Sequence, residues 1–242
     1  MKFTENFRVG LRDIGIGNSL TNYGILSFFE DTSVKHSDTV GYGVKDIPTK
    51  HRAWLLLDWK LDVFKRPEFG EKVVAKTWAI NIERPTFQVY RNFELLDEKE
   101  ELVATATSKW VLYDTENMKI VRVDESFNDL FNAEGSEKES AKQISKLKEL
   151  PSYESIFTYE VKRGDIDVNQ HMHNLNYLKL AYEAIPEEVF FGEEPKSLHI
   201  MYKQQIKLGS KVKCFYAFED NKHVVTIKSE DEKVLHAIIQ LY

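Results

Sequence analysis

The chain has 242 residues, of which 42% are hydrophobic and 12% aromatic, enough to build a packed interior and to exclude a disordered or low-complexity class. A formal charge of −6 with pI ≈ 5.7 offers no general attraction to nucleic acid or to an anionic membrane, so any acidic partner must meet a local basic patch. The single cysteine, Cys214, rules out an internal disulfide framework and suits a reducing compartment; with no secretory signal pattern at the start and no apolar run near the roughly 20 residues of a spanning helix, a soluble cytoplasmic protein is expected.

In chain order, "FRVGLRDIGIG" alternates like a strand running into a turn, and "NYGILSFFEDTSVKH" carries apolar residues at helical spacing. "WLLLDWKLDVFKRPEFGEKVVAKTWAINIE" predicts two strands about a turn at Pro67 and Gly70. "TFQVYRNFELLDEKEELVATATSKWVLYD" predicts two more, with a hairpin at 97–101. From about residue 124 the texture becomes charged and poor in aromatics, which reads as an exposed connector with one solvated helix. Beyond it, "FTYEVKRGDIDVNQHMHNLNYLKLAYEAIP" runs strand, turn and helix up to Pro186, and further strands close the chain. The composition is thus that of an α+β protein with a first domain at 1–125, a connector at 126–152 and a second domain at 153–242.

The second half repeats the order of the first. "RDIGIGNSLTN" (12–22) and "GDIDVNQHMHN" (164–174) share Asp-Ile, a later apolar residue and a final Asn without a gap, and "GEKV" at Gly70 matches "GSKV" at Gly209. Internal duplication accounts for the shared order. The copies differ in side chains: Gly15, Gly17 and Ser19 of the first stand where the second has Asp167, Asn169 and His171. A turn needs no such surplus for its shape, so the surplus points to chemistry.

Spaced two apart, Asp167, Asn169 and His171 share a side if the segment is extended. They lie just before a helix start, where unpaired N–H groups and the helix dipole favour negative charge. A carboxylate or imidazole to take a proton from water, an amide to position it, and helix-end amides at His173 and Asn174 to hold an oxyanion make an acyl-transfer site. A thioester suits it, because its carbonyl is electrophilic and its thiolate leaves readily. Asp165 is read as a turn or cap residue and Asn174 as the helix cap. His171 and His173 with Asp167 fall short of a full metal-ligand set, so no metal or other cofactor is expected. No nucleophile elbow, His-Glu-x-x-His, Cys-x-x-Cys or phosphate-binding loop is present.

At these residues the sequence resembles the acyl-acyl carrier protein (acyl-ACP) thioesterases of bacteria and plant plastids. "DIDVNQHMHNLNYLKLAYEAIP" is similar to that family's Asp-x-Asp-x-Asn-x-His segment, and "WLLLDWKLDVFKRPEFGEKVVAKTW" and "ATATSKWVLYD" extend the likeness over essentially the whole chain. The resemblance implies a tandem (double) hotdog fold, each repeat a long helix wrapped by an antiparallel sheet. It also implies hydrolysis of the thioester linking a fatty acyl chain to the phosphopantetheine of acyl carrier protein. Asp167, Asn169 and His171 match the family's catalytic positions, and a tail-binding first repeat would place Leu26, Phe29 and Trp54 near the acyl chain. Gln205 and Ile206 stand where plant members carry Glu-Cys, which removes a cysteine nucleophile there and leaves Gln205 to hold water or carbonyl. Which of Asp167 and His171 is the base stays open. Lys45, Lys50 and Arg52, or Lys162 and Arg163, are candidate contacts for the acidic carrier, and the chain could act as monomer or homodimer. The alternatives are an acyl-CoA thioesterase, a hotdog 3-hydroxyacyl dehydratase and a non-catalytic acyl-thioester binding module.

Overall fold

A computed structural model describes residues 2–242. It divides into two units, the first ending at Ser145 and the second running from Lys146 to Tyr242. The first contains β1 (Phe3–Arg8), α1 (Asn22–Thr39), α2 (Ile47–Lys50), β2 (Arg52–Val63), β3 (Lys72–Ala79), β4 (Val89–Asp97), β5 (Leu102–Asp114), β6 (Lys119–Val121), α3 (Ser126–Leu130) and α4 (Glu137–Gln143). The second contains β7 (Glu154–Glu160), α5 (Asn174–Ala184), α6 (Glu187–Phe190), β8 (Ser197–Tyr202), β9 (Lys211–Glu219), β10 (Lys222–Ser229) and β11 (Leu235–Leu241).

In the first unit the strands lie side by side in the order β1-β3-β4-β5-β2, with β6 on β5, all antiparallel. Burial alternates residue by residue along β3 and β4, as period-two side chains require when one face meets a core and the other water. The covering element is α1, which buries Ile25, Leu26, Phe28 and Phe29 over the sheet. The second unit orders its strands β8-β11-β10-β9-β7, also antiparallel, with α5 packed on β9, β10 and β11. A long helix on an antiparallel sheet, twice over, is the hotdog arrangement in tandem, an α+β fold.

The segment 126–152 departs from a solvated connector. It forms two short helices, and Phe127, Phe131, Ile144 and Leu147 are buried. Phe127 and Phe131 pack with Ala79, Ile82, Val89 and Leu112, and both rings stand edge-on to Trp54. Its charged residues cover these few apolar anchors, which average composition over the window hides.

The duplication extends to individual hydrogen bonds. Asp13 Oδ2 accepts the Gly10 N–H (2.8 Å) in the first unit, and Asp165 Oδ2 accepts the Lys162 N–H (2.7 Å) in the second. Gly15 N–H donates to Ser19 O (3.0 Å), and Asp167 N–H to His171 O (2.9 Å). Leu20 N–H donates to Pro67 O, and Met172 N–H to Ile206 O, both at 2.8 Å. Asn18 (φ 56°) and Gln170 (φ 63°) take the same left-handed conformation at the turn tips. One backbone scaffold is thus built twice.

Candidate active site

The segment holding Asp167, Asn169 and His171 is the tight turn expected between strand and helix, so the condition of an extended segment, under which the three would share a side, is not met. An antiparallel bridge between Ile166 and Met172 closes its neck, and Gln170 N–H returns to Asp167 O (3.0 Å). The left-handed Gln170 reverses the chain, so alternation does not set the side-chain directions. The turn instead brings Asp167 and His171 opposite each other at its base and leaves Asn169 exposed near the tip.

Asp167 and His171 are half-buried. Asp167 Oδ1 accepts the Asn169 N–H at 2.8 Å and the His171 N–H at 3.4 Å, which fixes the carboxylate over the turn. His171 Nδ1 is buried without a hydrogen-bond partner. A buried nitrogen left unpaired in the free protein is costly, and ligands or water are ready sources of the missing bond.

Asp165 has the turn role assigned to it: Oδ2 also accepts from the Tyr159 hydroxyl (2.8 Å), and its carbonyl accepts the His173 N–H (2.8 Å) and Asn176 Nδ2 (3.1 Å). The helix cap is His173, not Asn174. His173 Nδ1 accepts the Leu175 N–H (3.3 Å) and its carbonyl accepts the Asn176 N–H (2.9 Å), while Asn174 is the first helical residue. Thr21 caps α1 at the matching position through Oγ1 to the Gly24 N–H (3.0 Å), so the cap precedes the shared Asn in both repeats. Of the first N–H groups of α5, that of Asn174 has no hydrogen-bond acceptor among the described residues.

Gln205 is exposed in the loop joining β8 to β9. It lines a groove of about 550 Å³ with Lys207, Lys211, Asp231 and His236, a wall that none of Asp167, Asn169 and His171 shares. Its link to the turn is through the chain, since the adjacent Ile206 carbonyl receives the Met172 N–H. Sequence reasoning missed a contrast here. Arg66 precedes Pro67 as Gln205 precedes Ile206, and Arg66 donates to Leu20 O and Asn22 Oδ1, both at 2.9 Å. The first repeat closes its helix start with a guanidinium, and the second does not.

Leu26 and Phe29 are wholly buried in the core, Phe29 against Trp59 and Phe93. Trp54 is half-buried and lines a cavity of about 80 Å³, small beside the roughly 300–1,000 Å³ of ordinary ligand pockets. Cys214 is buried, and burial pushes its thiol up to about 12, far from a reactive thiolate. Among the basic candidates, Arg52 pairs with Asp114 (2.9 Å), Lys162 with Glu160 (3.1 Å), and Lys50 lies 4.4 Å over the Tyr42 ring. Lys45 and Arg163 have no ion pair among the described residues.

Residues 1–131 match the model of the acyl-ACP thioesterase N-terminal domain, and 148–240 that of the acyl-ACP thioesterase C-terminal domain. The chain belongs to the acyl-ACP thioesterase family. It is 24% identical over 222 residues to the chloroplastic oleoyl-acyl carrier protein thioesterase of Coriandrum sativum, covering 85% of this chain and 59% of that protein. With oleoyl-acyl carrier protein thioesterase 2 of Arabidopsis thaliana, also chloroplastic, identity is 25% over 93% of this chain and 65% of the relative. The chain therefore spans about six-tenths of the length of these curated relatives. The fold is that of an acyl-ACP thioesterase from Bacteroides thetaiotaomicron (TM-score 0.84, 19% identity, 98% and 96% of the two chains). It is likewise that of the 12:0-ACP thioesterase from Umbellularia californica (TM-score 0.85, 17% identity, 99% and 96%).

Proposed function

We propose that this chain hydrolyses fatty acyl-ACP thioesters to free fatty acid and holo-carrier protein by direct attack of water. The observation that carries the reading is the contrast between repeats. The turn backbone is the same in both, yet Asp167, Asn169 and His171 replace Gly15, Gly17 and Ser19 in one of them.

In this reading Asp167 and His171, facing each other at the turn base, orient water and take its proton. The His171 Nδ1 that lacks a partner gains one when water or substrate arrives. Asn169 holds the reacting groups, and the Asn174 N–H, at the positive end of α5, receives the oxyanion, while Gln205 faces a separate groove and is left out of the reading. The buried Cys214 takes no part, so no acyl-cysteine forms in this reading. The acidic carrier meets Lys162 and Arg163, which precede the turn. The reading includes a cytoplasmic location and a monomer or homodimer.

The test is thiol release from carrier-bound acyl chains of graded length, run beside the coenzyme A esters of the same acids. Release from the carrier form at a higher kcat/KM supports the proposal. Preference for coenzyme A esters, double-bond formation without free acid, or binding without thiol release would each replace it.

A further inference from the structure

The two repeats join the same turn to its helix in different ways. Asp13 and Asp165 take equivalent places, each with Oδ2 on the N–H of the third residue before it. Gly24 and Asn176 both lie eleven residues after these aspartates, and Phe7 and Tyr159 six residues before them. In the first unit a Cβ added to Gly24 would sit 2.7 Å from Asp13 O, closer than real Cβ atoms come. The start of α1 therefore rests against the root of its turn with no room for a side chain. Asn176 carries one, so α5 must stand further from Asp165 than α1 does from Asp13.

The amide that fills this gap is 7% exposed and is tied: Asn176 Nδ2 donates to Asp165 O (3.1 Å), beside the His173 N–H. In the first unit the second donor to this carbonyl is the cap itself, Thr21 Oγ1 at 2.9 Å. The carboxylate end differs as well. The Tyr159 hydroxyl donates to Asp165 Oδ2 (2.8 Å), whereas Phe7 has no hydroxyl and stacks on Phe28 with ring centroids 4.4 Å apart. Leu180 takes the place of Phe28, and where the first unit has that stack the second has a cavity of about 570 Å³, lined by Tyr159, Asp165, Met172, Asn176 and Leu180 among others. Packing is served by glycine and phenylalanine in the first unit, so the amide and the phenol call for a reason of their own.

Asp165 is the joint of the candidate site. It lies two residues before Asp167, and its carbonyl takes the N–H of His173, the residue before Asn174. Held at its carbonyl from α5 and at its carboxylate from β7, it fixes the turn base against the first N–H of the helix. We propose that Asn176 is a positioning residue for thioester hydrolysis: it sets the distance between the turn bearing Asp167 and His171 and the start of α5, while Tyr159 holds the other end of the same aspartate. The inference rests on the hydrolase reading above. Both residues act through Asp165 on alignment, where a displacement of about 1 Å can cost on the order of 10²-fold in rate.

The test compares Asn176→Ala and Tyr159→Phe with the unaltered protein in steady-state thiol release from acyl-ACP, with a thermal melt on each. Alanine is the best helix former and phenylalanine is the first unit's own residue, so both variants should keep the fold. Asn176→Ala is expected to lower kcat by about 10-fold or more at unchanged KM, and Tyr159→Phe to lower it by less, again at unchanged KM. A role in stability alone would instead lower the melting temperature and leave the kcat of the folded enzyme intact. Normal kcat in Asn176→Ala overturns the proposal, as does a loss carried wholly by KM. Should Asn176→Ala melt below the assay temperature, Tyr159→Phe decides: a lowered kcat at unchanged KM supports the proposal and a normal kcat overturns it. Absence of thiol release by the unaltered protein would count against the hydrolase reading itself, a result separate from any of these.

Discussion

Arg66 and Gln205 occupy the same place in the two repeats and leave the adjoining helix start in opposite states. The Arg66 guanidinium spans Leu20 O and Asn22 Oδ1 at 2.9 Å each, whereas Gln205 is exposed and bonds to neither counterpart. Gln205→Arg should rebuild the clamp over the start of α5. On the hydrolase reading proposed above, the expected result is a loss of thioester hydrolysis of about 10²-fold or more, because the guanidinium would cover the start of α5, where the oxyanion is proposed to sit. Melting temperature should hold or rise. Thiol release and a thermal melt on the same preparation check both.

Asp167→Asn keeps an oxygen to accept the Asn169 N–H, so the turn should persist while the base is lost. Turnover should fall roughly 10²–10⁴-fold in this variant and in His171→Ala if each acts on the proton of water. The acidic limb of the kcat–pH profile should vanish in whichever variant removed the base. Near-normal rates in both would remove the pair from the mechanism.

The sequence shows the turn's residues but not its shape. Aspartates, asparagines and histidines at alternate positions suit a strand as well as a turn, and only the left-handed Gln170 and the Ile166–Met172 bridge decide between them. The helices and the main strands were legible from apolar spacing, and the duplication from a few shared residues. Arg66 reaching Asn22, and the Tyr202 hydroxyl donating to Asn174 O, join residues far apart in the chain, and no local pattern reports such contacts. The cap fell one residue early for a related reason. Asparagine is the better intrinsic cap, yet the Asp165 carbonyl draws in the His173 N–H and sets the frame.

His36 on α1 gives the first unit a pH-dependent stability. Its Nδ1 lies 2.8 Å from Arg91 Nη1, and because a guanidinium only donates, that nitrogen must be the unprotonated acceptor. Burial first, then the Arg91 charge, lowers His36 from 6.5 to about 4. Between those values the unfolded chain binds more protons than the folded one, so stability is full above pH 6.5 and declines as pH falls toward 4. The decline attributable to His36 is at most about 3 kcal/mol. Urea melts at pH 7 and pH 4.5 should show it, and His36→Gln should flatten the difference.

Phe131→Ala tests the anchoring of the segment after β6. Phe131 is 1% exposed and meets His36, Trp54, Phe127 and Arg91. Removing such a ring typically costs about 3–5 kcal/mol, which a chemical melt reads directly. A cost under about 0.5 kcal/mol would mean that the segment lies loosely on the first unit.

The bond-for-bond agreement of the two turns has an evolutionary corollary. Since the glycine and serine version of the loop is held by the same main-chain contacts as the version bearing reactive groups, chemistry could be acquired or discarded at this spot without a new architecture. Descendants that retain the shape without those side chains would then lie a handful of substitutions away, and the turn of the first repeat shows what such a version looks like.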